Sequence, residues 1–246
     1  MTNLNIYLSG HVRTLYECFP KTLQCIRDSN PNIDISVYYS FWKSTDRLLD
    51  RKAVTGHADS VWATKGKKHL TADMTQQKNL NQFFGSLGVT VKESKTIDES
   101  VMHAVLKATP FKNENKNNVS KLSSQYFQIY EAAQLHKNIP DDDFCLRLRS
   151  DITIEHFPNL AKIGESLIVN EFIWEDYRYS GSTCNEMIWL CKGKYFFDTC
   201  SLYLDEASFA GYGYGENVMG HYFLDLQRKK KITQIEPFNF KYRILR

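Results

Sequence analysis

The segment DDDFCLRLRSDITIEHFP, residues 141–158, places three charged residues at every second position of an apolar run. Side chains of a β-strand alternate between its two faces. The apolar ones are predicted to share one face: Phe144, Leu146, Leu148 and Ile152. Arg147, Arg149 and Asp151 then lie on the other face, together with Cys145. Because buried arginines are costly unless an anion meets them, the segment predicts a buried strand with an anionic partner at its end.

Two interpretations of these charges stay open. In the first, Arg147 and Arg149 pair with acidic neighbours such as those at 141–143, and Asp151 caps a turn. In the second, the arginines neutralise a diphosphate, since a guanidinium fork matches two phosphate oxygens at once. Asp151 would then hold a sugar hydroxyl or a divalent metal, because a carboxylate suits a hard cation such as Mg²⁺ or Mn²⁺.

Strand and helix patterns alternate on both sides of this segment. Residues 4–10, LNIYLSG, read as a first strand that ends at Gly10, and helical spacing follows from Thr14. Pro20 is predicted to kink or restart that helix. Further strands are predicted near 33–42, 89–94, 166–170 and 186–191, and further helices near 80–88, 120–138, 194–207 and 216–230. The polar stretches 43–78 and 112–118 are predicted as loops. The alternation favours a single α/β domain with a mostly parallel, Rossmann-like sheet flanked by helices.

Composition narrows the class of protein. The net charge of +3 over 246 residues is too small for a nucleic-acid footprint. No stretch approaches the roughly 18 apolar residues of a membrane span, and the N-terminus has no signal-peptide pattern. None of the six cysteines sits in a CxxC pair, which favours reduced, packed thiols over zinc or disulfides. We therefore expect a cytoplasmic protein without a membrane span or a nucleic-acid partner.

The end of the first strand is a second candidate for phosphate binding. In SGHVRT, residues 9–14, Gly10 permits a tight turn. Backbone N–H groups of Gly10 and His11, with Arg13, would cradle a phosphate where the helix begins. Neither the dinucleotide fingerprint nor the P-loop pattern is present. Arg13 fits a surface salt bridge equally well.

Two later segments carry carboxylates beside aromatic residues. Residues 171–190 place several such side chains around a Ser-Gly-Ser turn: Glu175, Asp176, Tyr177, Arg178, Tyr179 and Glu186. They fit a sugar-binding cleft or a hairpin with aromatic edges. Residues 209–223 have alternating glycines before Glu216. This segment fits a flexible loop over a site, although a carboxylate at a helix start is also favourable for the helix dipole.

Together, four segments resemble a group of glycosyltransferases: IYLSGHVRTLYECFP, SSQYFQIYEAAQL, DFCLRLRSDITI and GYGENVMGHYF. That group occurs in bacterial surface-polysaccharide loci and in large DNA viruses of algae, and includes the WavE-like lipopolysaccharide-synthesis proteins. The order is a Gly-x-x-Arg-Thr turn, a Gln/Tyr helix, an Arg-x-Arg-x-Asp strand and a glycine-rich segment with a glutamate. The resemblance spans residues 4–225.

The resemblance implies a GT-A-like fold, with a nucleotide-sugar-binding half at about 1–152 and an acceptor-binding half at about 153–246. In that fold an Asp-x-Asp motif binds the metal and the donor diphosphate. The corresponding residues here read Arg149-Ser150-Asp151, so an arginine replaces the first aspartate and strict dependence on Mn²⁺ or Mg²⁺ is in doubt. By the same analogy Gly10 and Arg13 lie near the nucleotide.

The resemblance also places candidates on the acceptor side. These are Asp176, Arg178, Glu186 and Glu216, and Tyr179 belongs to the same aromatic cluster. Glycosyl transfer needs a general base for the acceptor hydroxyl. Glu216 is the first candidate for that base and Glu186 the second.

The sequence thus predicts a hexosyl- or pentosyltransferase that takes sugar from a nucleotide-sugar donor to a glycan or glycolipid acceptor. The product would be surface polysaccharide or the glycan of a glycoprotein. The alternative is a sugar- or nucleotide-binding protein without catalysis on the same scaffold, which the missing aspartate favours. A methyltransferase with a glycine-rich first loop is a weaker option, because the single SGH turn lacks such a loop.

Overall fold

A computed structural model of the chain describes residues 2–12, 14–43, 72–98, 100–101, 104, 116–176, 181–205 and 215–244. The strands are β1 (Thr2–His11), β2 (Ile33–Trp42), β3 (Thr90–Ile97), β4 (Phe144–Arg149), β5 (Ile152–Ile154), β6 (Leu167–Val169), β7 (Phe172–Asp176), β8 (Gly181–Cys184), β9 (Ile188–Lys192), β10 (Ile235–Pro237) and β11 (Tyr242–Ile244). The α-helices are α1 (Leu15–Ser29), α2 (Gln77–Ser86), α3 (Lys116–Gln134), α4 (Gly193–Cys200) and α5 (Gly215–Arg228). Short 3₁₀ turns cover Ala72–Thr75, Leu160–Lys162 and Ser201–Leu204.

Seven of these strands form one sheet in the order β10-β6-β9-β4-β1-β2-β3. β1 runs parallel to β2 and β4, and β2 runs parallel to β3. β10 is parallel to β6, whereas β9 is antiparallel to β4 and β6. The predicted α/β architecture, a mostly parallel sheet flanked by helices, is confirmed.

Helices cover both faces of the sheet. On one face, α1 and α2 share a hydrophobic core with Leu146 and Leu148 of β4. On the other face, α3, α4 and α5 share a second hydrophobic core with Cys145 of the same strand. The predicted alternation of β4 side chains is therefore correct, because residues one apart belong to different cores.

The carboxyl ends of β1 and β4 form a topological switch point. The chain leaves β1 through α1 on one face and enters β4 from α3 on the opposite face. The two strands lie side by side in the sheet, with Ser9 of β1 in register with Arg149 of β4. In open α/β sheets ligands bind in the crevice that such a reversal leaves at the strand ends.

Several local predictions need correction. Helix α1 continues from Leu15 to Ser29 with Pro20 inside it, so the helix does not restart there. The proline has no N–H to donate to the Tyr16 carbonyl, and one backbone hydrogen bond is lost at this position. Of the predicted loop 112–118, residues from Lys116 onward begin α3, and 112–115 lie outside the described residues, as do 44–71. The predicted strand 144–152 ends at Arg149, and a turn at 150–151 leads into the separate strand β5.

Two antiparallel pairs lie outside the main sheet. β7 pairs with β8, which is the hairpin that the Ser-Gly-Ser turn predicted as one alternative. β5 pairs with β11, a pairing that short sequence patterns do not indicate. Through it, Tyr242 lies opposite Ile154 of β5.

The six cysteines are all free, and all but Cys25 are buried, so the prediction of packed thiols is correct. Over the part of the chain that the structure describes, no helix combines the length and apolar character that a membrane crossing needs.

Candidate functional site

An ion pair between Arg149 and Asp151 occupies the end of β4. The Arg149 Nε donates to Asp151 Oδ1 at 2.9 Å, and Nη2 donates to Oδ2 at 2.6 Å. Asp151 is buried, with 1% of its side chain exposed, while Arg149 retains 13%. Burial alone would lower the pKa of Arg149, but Asp151 and its hydrogen bonds outweigh this and raise it. Arg149 is therefore a permanent cation at the switch point.

The end of β1 is fixed beside this pair. Gly10 has φ +109°, a conformation that side chains strongly disfavour, so a glycine is needed where the strand turns. The next residue, His11, accepts a hydrogen bond at its carbonyl from the Ser150 hydroxyl. Ser150 lies between Arg149 and Asp151, so this contact ties the turn after β4 to the end of β1. Gly10 and His11 thus lie at the same edge as the ion pair, and their role in donor binding stays a prediction.

Glu186 reaches this edge from the turn that leads into β9. Because β9 is antiparallel to β4, the beginning of β9 lies beside the end of β4. There the backbone N–H of Arg149 donates to the backbone carbonyl of Met187 at 3.2 Å. The Glu186 side chain is only 7% exposed, and its Oε2 accepts from the Tyr126 hydroxyl at 3.0 Å. Burial, and then the charge of Glu186, raise the pKa of Tyr126.

Arg147 lies deeper, inside the core behind the edge. It is 1% exposed, donates from Nη1 to the Glu186 carbonyl at 2.5 Å, and places its Cζ 5.0 Å from the centroid of the Trp189 ring. Burial lowers its pKa to about 10, and the charge of Arg149 contributes. Arg147 therefore holds the backbone of Glu186 in place. Its burial does not favour the predicted direct contact of Arg147 with the nucleotide-sugar donor. The predicted pairing of the arginines with 141–143 is not seen among the described contacts: Asp143 accepts from Asn3 and Asn5 at the opposite edge.

Glu216 is a further carboxylate near this edge, and it lies in the first turn of α5. The helix packs on β8, where Asn217 donates to the Ser182 carbonyl at 3.1 Å. Glu216 keeps contact with solvent, but partial loss of hydration raises its pKa above the ordinary 4.5, and the charge of Glu186 adds to this. A backbone hydrogen bond and Arg149 act in the opposite direction. We call the group that these contacts bring together the strand-end site: Gly10, His11, Arg149, Asp151, Glu186 and Glu216.

The other predicted site residues are not placed by the structure. Arg13, Arg178 and Tyr179 lie outside the described residues, and of Asp176 only the backbone at the end of β7 is described. Their roles stay predictions.

The structure adds two tyrosines that sequence reasoning missed as site residues. One is Tyr126, which lies in the Gln/Tyr helix of the resemblance but was given no site role there. The other is Tyr242, whose hydroxyl accepts from Asn185 at 2.6 Å and whose pKa burial raises. The charges of Arg149 and Glu216 both act on Tyr242, so it borders the strand-end site. No local pattern indicates these contacts, because each joins two residues that are at least 57 positions apart.

The strand-end site does not fit a divalent cation. Both carboxylate oxygens of Asp151, the predicted metal ligand, already accept from Arg149. Among the described residues there is no group of three or more histidine, cysteine, aspartate or glutamate side chains with the geometry to hold an ion. A hard cation prefers several oxygen ligands, so the metal role of Asp151 stays a prediction that this geometry does not favour.

Comparisons with known proteins found only loose structural likeness. No protein-family model matches the chain, and no curated protein matches its sequence. The mouse xyloside xylosyltransferase 1 structure has a TM-score of 0.46 at 8% identity, over 97% of this chain and 85% of that one. The galactosyltransferase LgtC, in complex with donor and acceptor sugar analogues, has a TM-score of 0.42 at 11% identity, over 89% and 70%. Likeness at this level assigns no role to any residue.

Proposed function

We propose that the chain is a glycosyltransferase of GT-A-like fold that moves a sugar from a nucleotide-sugar donor to a hydroxyl of a glycan or glycolipid acceptor. The observation that carries the proposal is the strand-end site itself. It combines a fixed cation, Arg149, with two carboxylates, Glu186 and Glu216, at a topological switch point. A reaction that expels an anion and removes a proton needs both kinds of group.

The role of the Arg149 cation is to stabilise the diphosphate leaving group. When the bond between the anomeric carbon and the diphosphate oxygen breaks, the diphosphate leaves with the electron pair and gains negative charge. Preorganised positive groups stabilise such developing charge best where water is partly excluded. Arg149 meets this condition because it is mostly buried and is held by two hydrogen bonds.

The role of a carboxylate is to take the proton from the acceptor hydroxyl. The new bond joins the acceptor oxygen to the anomeric carbon, and the hydroxyl proton passes to a general base. Glu216 is better suited than Glu186, because it is accessible and its pKa is raised towards the working pH. Glu186 is buried and engaged by Tyr126, so it acts on Glu216 through its charge.

The remaining assignments are those that the resemblance implies. Residues before about 152 would bind the nucleotide sugar, with Gly10, His11 and Arg13 at the nucleotide and Arg147 behind Arg149. Residues 153–246 would bind the acceptor, through Asp176, Arg178 and Tyr179. The transferred sugar would be a hexose or a pentose, for surface polysaccharide or glycoprotein glycan of the kind made by WavE-like proteins. The free thiols agree with a reaction in the cytoplasm.

Nucleotide release from a panel of nucleotide sugars tests the proposal, with and without mixed sugar acceptors. The wild-type protein should release nucleoside diphosphate from one donor class, and acceptors should increase the rate. Glu216→Gln should bind the same donor with similar affinity but lose the acceptor-stimulated rate. Donor binding without release by the wild type would instead support the alternative, a sugar- or nucleotide-binding protein.

A further inference from the structure

The contact between Arg149 and Asp151 uses only one edge of the guanidinium. Arginine carries five N–H donors in a planar fork. Asp151 takes the side edge, which is formed by one N–H of Nε and one of Nη2. Both hydrogens of Nη1 and the second hydrogen of Nη2 remain, and none of them is hydrogen bonded to a described residue. The end edge of the fork, with one N–H from each Nη, therefore still offers a pair of parallel donors.

Arg149 lies at the carboxyl ends of β1 and β4, where a diphosphate would bind. Arg149 is the last residue of β4, it is in register with Ser9 of β1, and it retains contact with solvent. Two parallel N–H groups match two oxygens of one phosphate, a geometry that a lysine ammonium cannot reproduce.

Asp151 contributes by fixing the fork. A long side chain at a strand end loses rotamer entropy when it binds a ligand, and an existing bidentate contact has already removed that cost. Asp151 is almost wholly buried and Ser150 anchors its turn to the His11 carbonyl, so the carboxylate is itself held in place.

We propose that Arg149, oriented by Asp151, neutralises the donor diphosphate in place of a divalent cation, so that donor binding and sugar transfer proceed without metal. This inference rests on the proposed function and goes further, because it makes Asp151 a positioning residue and not a metal ligand. The diphosphate leaves with the electron pair of the broken bond, and the end edge of Arg149 donates two hydrogen bonds to its oxygens.

Calorimetric titration with inorganic pyrophosphate and with a set of nucleoside diphosphates tests the inference. Each titration is made once in EDTA and once with Mn²⁺. The wild-type protein should bind pyrophosphate and at least one nucleoside diphosphate in EDTA with the affinity that it shows in Mn²⁺. Arg149→Lys keeps a positive charge beside Asp151, which preserves folding, but it loses the second edge and should weaken binding at least about tenfold.

Asp151→Asn separates positioning from a purely structural role. It should weaken pyrophosphate binding in EDTA nearly as much as Arg149→Lys. Asn5→Ala is the matched control, because it removes a buried polar contact to the Asp143 carboxylate at the opposite edge of the sheet. It should destabilise the protein and leave pyrophosphate binding unchanged.

The outcomes separate this inference from the proposed function. Binding that requires Mn²⁺ in the wild type, or undiminished binding by Arg149→Lys in EDTA, would overturn the inference and leave sugar transfer possible. A wild-type protein that binds no diphosphate in either condition and consumes no nucleotide sugar would overturn both.

Discussion

Arg149 holds Asp151 through two hydrogen bonds, of 2.9 Å and 2.6 Å, across a single intervening residue. The pair forms because β4 ends at Arg149 and the turn at Ser150 brings the carboxylate back beside the guanidinium. It therefore closes the corner between β4 and β5 and fixes a cation at the edge where β1 and β4 end.

Removing the carboxylate should destabilise the fold. Asp151→Asn leaves the Arg149 charge mostly buried with a weaker partner, and it should lower the free energy of unfolding by about 2–3 kcal/mol, somewhat less than for a fully buried pair. Urea unfolding measures this. The control is Lys95→Ala, which breaks the ion pair with Glu131 where the lysine is 49% exposed and should cost less than about 1 kcal/mol. Equal losses in the two variants would contradict the role of burial.

The pH dependence of sugar transfer should report Glu216. A general base works when deprotonated, so kcat/KM should rise with pH, with an apparent pKa above 4.5. Loss of hydration is the first cause of the raised pKa of Glu216, and the charge of Glu186 is the second. Glu186→Gln should therefore shift the rise in kcat/KM to lower pH. If kcat/KM rises at the same pH in Glu186→Gln as in the wild type, the charges of Glu186 and Glu216 are not coupled.

The Tyr126 hydroxyl should stabilise the buried Glu186. Tyr126→Phe removes the 3.0 Å hydrogen bond and leaves a carboxylate oxygen short of a donor, which should cost roughly 1.5–3 kcal/mol. Thermal or urea unfolding measures the loss. Tyr16→Phe is the control, since its hydroxyl donates to the Met74 carbonyl in a partly buried setting that water can reach, and it should cost about 1 kcal/mol or less.

Close packing of α5 on β8 should be required to place Glu216. A Cβ at Gly220 would lie 2.5 Å from the Ser182 carbonyl oxygen, so Gly220→Ala must push the helix away. We expect a loss of about 1–3 kcal/mol, together with a fall in kcat. Gly85→Ala is the matched control, because it lies in α2 with nothing within 4 Å of its Cβ and should stabilise the protein by about 0.5–1 kcal/mol. Full activity in Gly220→Ala would show that Glu216 is not positioned by this contact.

The sheet could be predicted from the sequence because its strands carry a local signal. The alternation in β1, β2 and β4 indicates both the strands and which side chains share a face, and Gly10 marks the turn at the end of β1. The strand ends then indicate where a ligand would bind.

The partners within the site could not be predicted in the same way. Asp141–Asp143 and Asp151 are all near the arginines in sequence, and only the turn at Ser150 decides that Asp151 is the partner of Arg149. Tyr126 meets Glu186 across 60 positions and Tyr242 meets Asn185 across 57. Such pairings depend on helix packing and on the β5–β11 pair, for which short patterns carry no signal.

Mass-spectrometric detection of a new glycoside tests the central claim most directly. The wild-type protein is incubated with the panel of nucleotide sugars and mixed sugar acceptors, in parallel with Glu216→Gln. We predict an acceptor that has gained one sugar residue from a single donor class, with the rate reduced about 100-fold or more in Glu216→Gln. No glycoside from any donor, or an equal rate from both proteins, would contradict the claim that the strand-end site transfers sugar.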